Sequence, residues 1–318
     1  MAVIGLDLGG TKTAGLVLHE GNIEDRYRLE TDASSQESVL RGLVEVFSKL
    51  RDSAVSKGTK IAAVGLGIAG FIDFERGVVT DAPNHPLRDA PVRDILKKQS
   101  GLPVFVDNDA NVAALAEARM GAGKGSRYLV HLTLGTGIGG GVIIDGQVYR
   151  GALGAAAELG HMIICENGPP CNCGARGCLE AMSSGVAIYR RVEELALTGY
   201  SSPMTEEFMA DPGAFAADDV CRYADGGDDT AREILEEAGW HLGIGIASLV
   251  NIFNPDVVTL SGGLLGCFHH MEEAMHRSCN ETAIAISRSH VRILTGTLGD
   301  DGGMLGAALL ARESIGHS

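Results

Sequence analysis

The sequence predicts an α/β protein built as two lobes. Three observations carry this. The chain has 318 residues, more than the roughly 100 to 200 of an ordinary domain. Short apolar runs ending in glycine alternate with longer stretches of helical spacing, in a chain with 45% hydrophobic residues and 44 glycines. A strand-turn-strand unit at the N-terminus is also written a second time, 126 residues further on. Two lobes make a ligand cleft between them the natural expectation.

Taken in order, residues 3–8 read as a strand, Gly9-Gly10-Thr11-Lys12 as a turn, and residues 13–19 as a second strand ending at Glu20-Gly21-Asn22. Residues 104–106 form a short buried strand that runs into Asp107-Asn108-Asp109, and residues 112–120 have helical spacing. The repeat follows: a strand over 128–134, a turn over 135–141 and a return strand over 142–144. The shift of 126 places Leu6 on Leu132, Leu8 on Leu134, Gly9 on Gly135 and Gly15 on Gly141. Residues 222–229 read as a helix end and loop, and 230–253 as a long helix. Asn254-Pro255-Asp256 turns into a strand over 257–260 that stops at Ser261-Gly262-Gly263, and a last helix covers 303–313.

Glycine turns of this kind let backbone N–H groups approach phosphate oxygens closely and together. One copy alone reads as an ordinary β-turn, whereas two in register point to a polyphosphate. Neither copy is a Walker A or dinucleotide fingerprint, because both lead into a strand rather than a helix.

His161, Cys171, Cys173 and Cys178 fall within eighteen positions, with Glu158 just before and Glu180 just after. Three thiolates and an imidazole match a closed structural zinc site, with no coordination position left for an activated water. The competing reading is three buried thiols and a core histidine. The remaining cysteines, Cys165, Cys221, Cys267 and Cys279, are expected to pack as small apolar groups in a reducing interior. A net charge of −15 without Lys/Arg clusters argues against a nucleic-acid partner. An acid interrupts the first apolar run, which has no basic flank, and no stretch is long enough to span a bilayer. The expected location is cytoplasmic, with no membrane partner.

The duplicated hairpin resembles the actin-like ATPase (ribonuclease H-like) architecture of sugar kinases. With Asp7-Leu8-Gly9-Gly10-Thr11-Lys12 and the His161/Cys171/Cys173/Cys178 cluster, the chain resembles the ROK family (repressors, open reading frames and kinases) nearly end to end. The resemblance implies that Asp7, Gly9, Gly10, Thr11 and Lys12, with Gly135, Thr136, Gly137 and Gly139, hold the ATP phosphates. Gly262 and Gly263 would lie near the adenosine, and Mg²⁺ near Asp7 through water. It makes Asp109 the base and Gly70, Asn84, Asn108, Asp109, Glu158, His161 and Glu180 the sugar side, while at least one of Asp107, Asn108 and Asp109 is expected only to cap a helix. His161 would serve zinc through one ring nitrogen and the sugar through the other.

The implied reaction is transfer of the γ-phosphoryl group of ATP to a hexose, with O6 of glucose ranked ahead of N-acetylglucosamine, N-acetylmannosamine and fructose. His85-Pro86-Leu87-Arg88 after Asn84, and Ala157 before Glu158, depart from many relatives, which bears on the sugar and not on the reaction. A sugar-responsive repressor ranks lower, because the first phosphate turn comes at Gly9 with no room before it for a DNA reader, and a noncatalytic sensor ranks lower because Asp109 is retained. The expected lobes are 1–109 plus 303–318, and 110–302 with the zinc loop and a homodimer surface.

Overall fold

A computed structural model describes residues 1–316 of the chain. Its first part contains β1 (Ala2–Leu8), β2 (Lys12–His19), β3 (Asn22–Glu30), α1 (Gln36–Ser56), β4 (Ile61–Ile68), β5 (Phe71–Asp73), β6 (Val78–Asp81), β7 (Arg88–Ala90), α2 (Val92–Ser100), β8 (Val104–Asn108) and α3 (Asp109–Arg119). There follow β9 (Leu129–Leu134), β10 (Ile138–Ile144), β11 (Gln147–Val148), α4 (Leu179–Ser183), α5 (Gly185–Leu197), α6 (Pro203–Ala210) and α7 (Ala217–Asp225). The chain closes with α8 (Asp229–Phe253), β12 (Val257–Ser261), α9 (Phe268–Thr282), α10 (Ala285–Arg288), β13 (Arg292–Thr295) and α11 (Gly302–Ile315).

Two compact units result. One comprises Met1–Arg127, Gly141–Ala157 and Thr297–Ser318, the other Tyr128–Gly140 and Glu158–Gly296. The first therefore holds more than the 1–109 plus 303–318 read from the sequence, of which 317 and 318 lie outside the described residues. It also keeps α3, because Val112, Leu115 and Ala116 share a core with Leu305, Leu309 and Ala308 of α11.

In the first unit the sheet order is β3-β2-β1-β4-β8, with β1 antiparallel to β2 and parallel to β4. Side chains alternate across a strand, so Ile4, Leu6 and Leu8 join the core beneath α1 and α2, while Val3 joins the core beneath α3 and α11. The same alternation puts Asp7 on the α11 face. Gly5 and Gly65 are paired across β1 and β4, and α11 lies directly on them: a Cβ on Gly5 would be 2.6 Å from the Ala308 nitrogen, and one on Gly65 would overlap the Ala307 carbonyl. Burying Leu305, Leu309 and Leu310 of α11 contributes about 1.5–3 kcal/mol each.

The second sheet has the order β11-β10-β9-β12-β13, the same arrangement repeated, and β10 carries the chain from one unit into the other after residue 140. In the second unit β9, β12 and β13 run parallel, and α8 packs along α9 with Gly239 and Gly243 against the backbone of Met271 and Met275. Asp228 caps α8 by accepting from the Ala231 N–H at 3.0 Å, and Asn254 ends it in the left-handed conformation.

Two expectations are corrected. The second turn does not extend to Gly141. It spans only Gly135-Thr136-Gly137, because 139–141 lie in β10, where a Cβ on Gly141 would be 2.6 Å from the Ala114 Cβ of α3. Cys221 and Cys267 are not separate apolar fillers. They form a disulfide between α7 and the residue before α9, with Cα atoms 5.4 Å apart.

Candidate active site

In the first unit, β1 and β2 leave a three-residue turn, Gly9-Gly10-Thr11. Gly9 N–H donates to the Lys12 carbonyl at 2.9 Å, Thr31 N–H donates to the Thr11 carbonyl at 2.9 Å, and the Thr31 hydroxyl donates to the Gly9 carbonyl at 3.0 Å. Thr11 and Lys12 are exposed. Asn84 lies against the turn, within 3.0 Å of where a Cβ on Gly10 would be. Asp7, half-buried just before the turn, meets the start of α11, where a Cβ on Gly303 would be 2.6 Å from Asp7 Oδ2. Glycine at 303 gives this carboxylate its room. Burial, and secondarily the charge of Asp109, push Asp7 up to about 7.

β8 passes into α3 with no intervening loop, so Asp109 is the first residue of the helix. The three polar residues of this junction have separate tasks. Asp107 is buried, ion-paired with Arg150 at 2.8 Å and bonded to Asn111 Nδ2 at 3.0 Å. Asn108 caps α3, accepting from Ala110 and Asn111 N–H at 2.9 and 3.2 Å, while its Nδ2 donates to the Gly70 carbonyl at 3.1 Å. Asp109 accepts from Ala110 N–H at 2.9 Å, and burial raises its pKa. Sequence reasoning missed Arg150, which lies just beyond β11, although an acid ending a buried strand needs a cation.

In the second unit, Gly185 and Val186 at the start of α5 donate to the carbonyls of Gly135 and Thr136 at 2.8 and 3.2 Å, which fixes the second turn. Glu180, in the first turn of α4, accepts from Ile138 N–H through Oε2 at 2.9 Å, and its carboxylate occupies the space that a Cβ on Gly137 would need. Glu180 thus ties the cysteine loop to the second glycine turn. Gly262, at φ 100, follows β12 and lies against the backbone of Leu134, so Gly262 and Gly263 sit beside that turn. Buried His131, also missed from sequence, links Thr259 at 2.8 Å to Ser261 at 3.0 Å beneath it.

His161, Cys171, Cys173 and Cys178 converge, with all four ligand atoms within 4.8 Å of one another. His161 Nδ1 is 3.5 Å from Cys171 Sγ, and Cys173 Sγ is 3.7 Å from Cys178 Sγ. A bridge between Ile163 and Cys178 and another between Pro170 and Arg176 hold the loop. The donor set fits tetrahedral Zn²⁺ and leaves His161 Nε2 for another partner. Glu158 is exposed and precedes the short 3-10 helix Leu159–His161, its backbone carbonyl accepting from His161 N–H at 3.0 Å.

One strand order repeated in two sheets, with a glycine turn after the first strand of each, defines a protein of the actin-like ATPase class. The ROK family model matches residues 3–314, and the chain belongs to that family. It is 36% identical to a glucokinase of Thermotoga maritima over 99% of each chain. It resembles a ROK glucokinase from Streptomyces griseus, solved in complex with glucose and AMPPNP, with a TM-score of 0.80 at 34% identity over 98% of this chain and 100% of that one. A putative xylose repressor of a Caldicellulosiruptor species is 32% identical over 97% of this chain but 77% of its own length.

Proposed function

We propose that the chain is an ATP-dependent glucokinase, transferring the γ-phosphoryl group of ATP to the 6-hydroxyl of glucose. The observation that carries this is Asp109: a carboxylate at a helix start, with its basicity raised by burial, in the same unit as a glycine phosphate turn. The glucokinase relatives, similar over nearly the whole chain, support glucose as the acceptor.

In this reading Asp109 takes the proton of the sugar O6–H as O6 bonds to Pγ. The bond from Pγ to the β–γ bridging oxygen breaks, and ADP leaves with that oxygen. Gly9 to Lys12 and Gly135 to Gly137 align the phosphates, with Gly139 at the start of the following strand, and Gly262 and Gly263 flank the nucleoside. Asn84, Asn108, Gly70, Glu158, Glu180 and His161 Nε2 match sugar hydroxyls, where an unmatched buried partner costs about 1–3 kcal/mol. Mg²⁺ accompanies ATP near Asp7. Zn²⁺ held by His161, Cys171, Cys173 and Cys178 supplies rigidity to the loop and takes no part in phosphoryl transfer.

Among the described residues no helix is long and apolar enough to cross a membrane. A disulfide such as Cys221–Cys267 is rare in a reducing interior, but a cytoplasmic enzyme otherwise fits the reading. So does a homodimer, supported by the exposed Ile252, Ile284 and Ile286 of the second unit.

The test is ATP-dependent ADP release by purified protein with glucose, fructose, N-acetylglucosamine and N-acetylmannosamine. Glucose is expected to give the highest kcat/KM. A clear preference for fructose or an N-acetylated sugar overturns the glucose assignment, and no turnover with any sugar overturns the kinase.

A further inference from the structure

The second unit brings together another set of metal-ligating side chains. Helix α7 ends on Asp225, and α9 opens with Phe268-His269-His270. Both imidazoles turn to one carboxylate oxygen: His269 Nε2 lies 2.9 Å and His270 Nε2 2.8 Å from Asp225 Oδ1, with ring centroids 4.1 Å apart. Successive helical residues point about 100° apart, so two neighbouring rings reach one atom only if it lies between their directions. Asp225 is held there. Cys221, one turn earlier on α7, is joined by the disulfide to Cys267, two residues before His269.

The cluster is open to water on one side, with the His269 side chain 57% and the His270 side chain 16% exposed. A hollow of about 170 Å³ adjoins it, lined also by Glu236 and Glu273 and by Arg232 and Arg277, so the acids there are balanced by two guanidinium groups. Hydrogen bonds from exposed imidazoles to an exposed carboxylate contribute only about 0–1 kcal/mol, too little to require this convergence.

We propose that Asp225, His269 and His270 form a second metal site, for a divalent transition ion of the cobalt, nickel or zinc type, separate from the Cys₃His loop. Two imidazoles and a carboxylate are donors that suit these ions. The three ligand atoms lie within 4.8 Å of one another. Tetrahedral bonds of about 2.0–2.1 Å space ligands about 3.3 Å apart, so an ion replaces the shared hydrogen bonds after opening them by a few tenths of an ångström. Water fills the remaining positions, which makes this an exchangeable site. A bound ion cross-links the end of α7 to the start of α9.

The experiment takes tag-free protein with its Cys₃His site filled by zinc and titrates it with Co²⁺, followed by calorimetry and visible absorption. One further equivalent is expected to bind, with weak ligand-field bands and no thiolate-to-cobalt charge transfer. Asp225→Asn and His270→Ala are each expected to weaken it by about tenfold or more, with sugar phosphorylation and metal-free melting temperature unchanged. His269→Gln, at the most exposed of the three positions, repeats the test with little risk to folding. The proposal is overturned by absence of the extra equivalent, by variants that bind Co²⁺ as the parent does, or by a thiolate band.

Discussion

Asp7 and Asp109 have the two most consequential carboxylates of the first unit, and burial raises the pKa of both. Asp109→Asn preserves shape but removes the proton acceptor, so kcat is expected to fall about 10²- to 10⁴-fold with glucose KM changed little. Full kcat in that variant would remove Asp109 as the base. In the parent enzyme kcat should decline as pH falls through the pKa of Asp109, at a higher pH than an ordinary carboxylate gives. Asp7 makes a stability statement. Its pKa goes from 3.8 to about 7 on folding, so the native state binds this proton more tightly than the unfolded chain. The stabilisation this gives is complete below about pH 4 and lost as pH rises through about 7. Above that, the ligand-free protein holds a poorly solvated charge. Asp7→Asn is therefore expected to stabilise ligand-free protein at about pH 8 by about 1–2 kcal/mol after allowance for solvent screening, with the gain shrinking towards pH 4. Thermal melts across that range check it, and a variant less stable than the parent at pH 8 contradicts the raised pKa.

At the scale of elements, the loop of Cys171, Cys173 and Cys178 and the turn from Gly135 to Gly137 act as one piece. Glu180 follows Cys178 by two residues and accepts from Ile138 N–H, directly after the turn, so a disordered loop would release both Glu180 and the turn. Elemental analysis of unchelated protein is expected to find zinc in the Cys₃His loop. Cys173→Ser, at an exposed ligand, is expected to lower zinc occupancy and raise glucose KM by about tenfold or more. Retained zinc, or unchanged KM after its loss, contradicts this coupling. The convergence of His161, Cys171, Cys173 and Cys178 was legible in the sequence because their spacing is that of a closed ligand set. Glu180's bond to Ile138 was not, since 42 residues separate them and only folding brings them together. The glycine run at 139–141 misled for a related reason: glycine signals a turn locally, but here the run lies in β10, where Gly141 clears space for α3.

The whole molecule carries one strand order twice. The sheets β3-β2-β1-β4-β8 and β11-β10-β9-β12-β13 share one arrangement, yet Asp109 directly follows β8 in the first copy, while in the second Gly296 follows β13 and the acids Asp300 and Asp301 come only just before α11. The hairpins were visible as a repeat because glycine turns restrict the sequence. The matching of β4 with β12 and of β8 with β13 was not, because any short apolar strand satisfies a parallel core position. What the sequence leaves least visible is where a helix axis touches a sheet. Gly42 in α1 and Gly65 in β4 look equally replaceable as letters. An added methyl on Gly42 meets only the Leu29 side chain at 3.5 Å, an ordinary contact, whereas on Gly65 it overlaps the Ala307 carbonyl of α11. Gly42→Ala is therefore expected to be neutral or to stabilise by about 0.5–1 kcal/mol through backbone entropy. Gly65→Ala is expected to destabilise by about 3 kcal/mol or more, because α11 must lift from β1 and β4. Since α11 begins at the glycines beside Asp7, Gly65→Ala should also lower kcat/KM for ATP, and Gly42→Ala should not. Urea unfolding with parallel kinetics separates the outcomes, and a Gly65→Ala protein as stable and active as the parent would show that α11 is not seated on the sheet in this way.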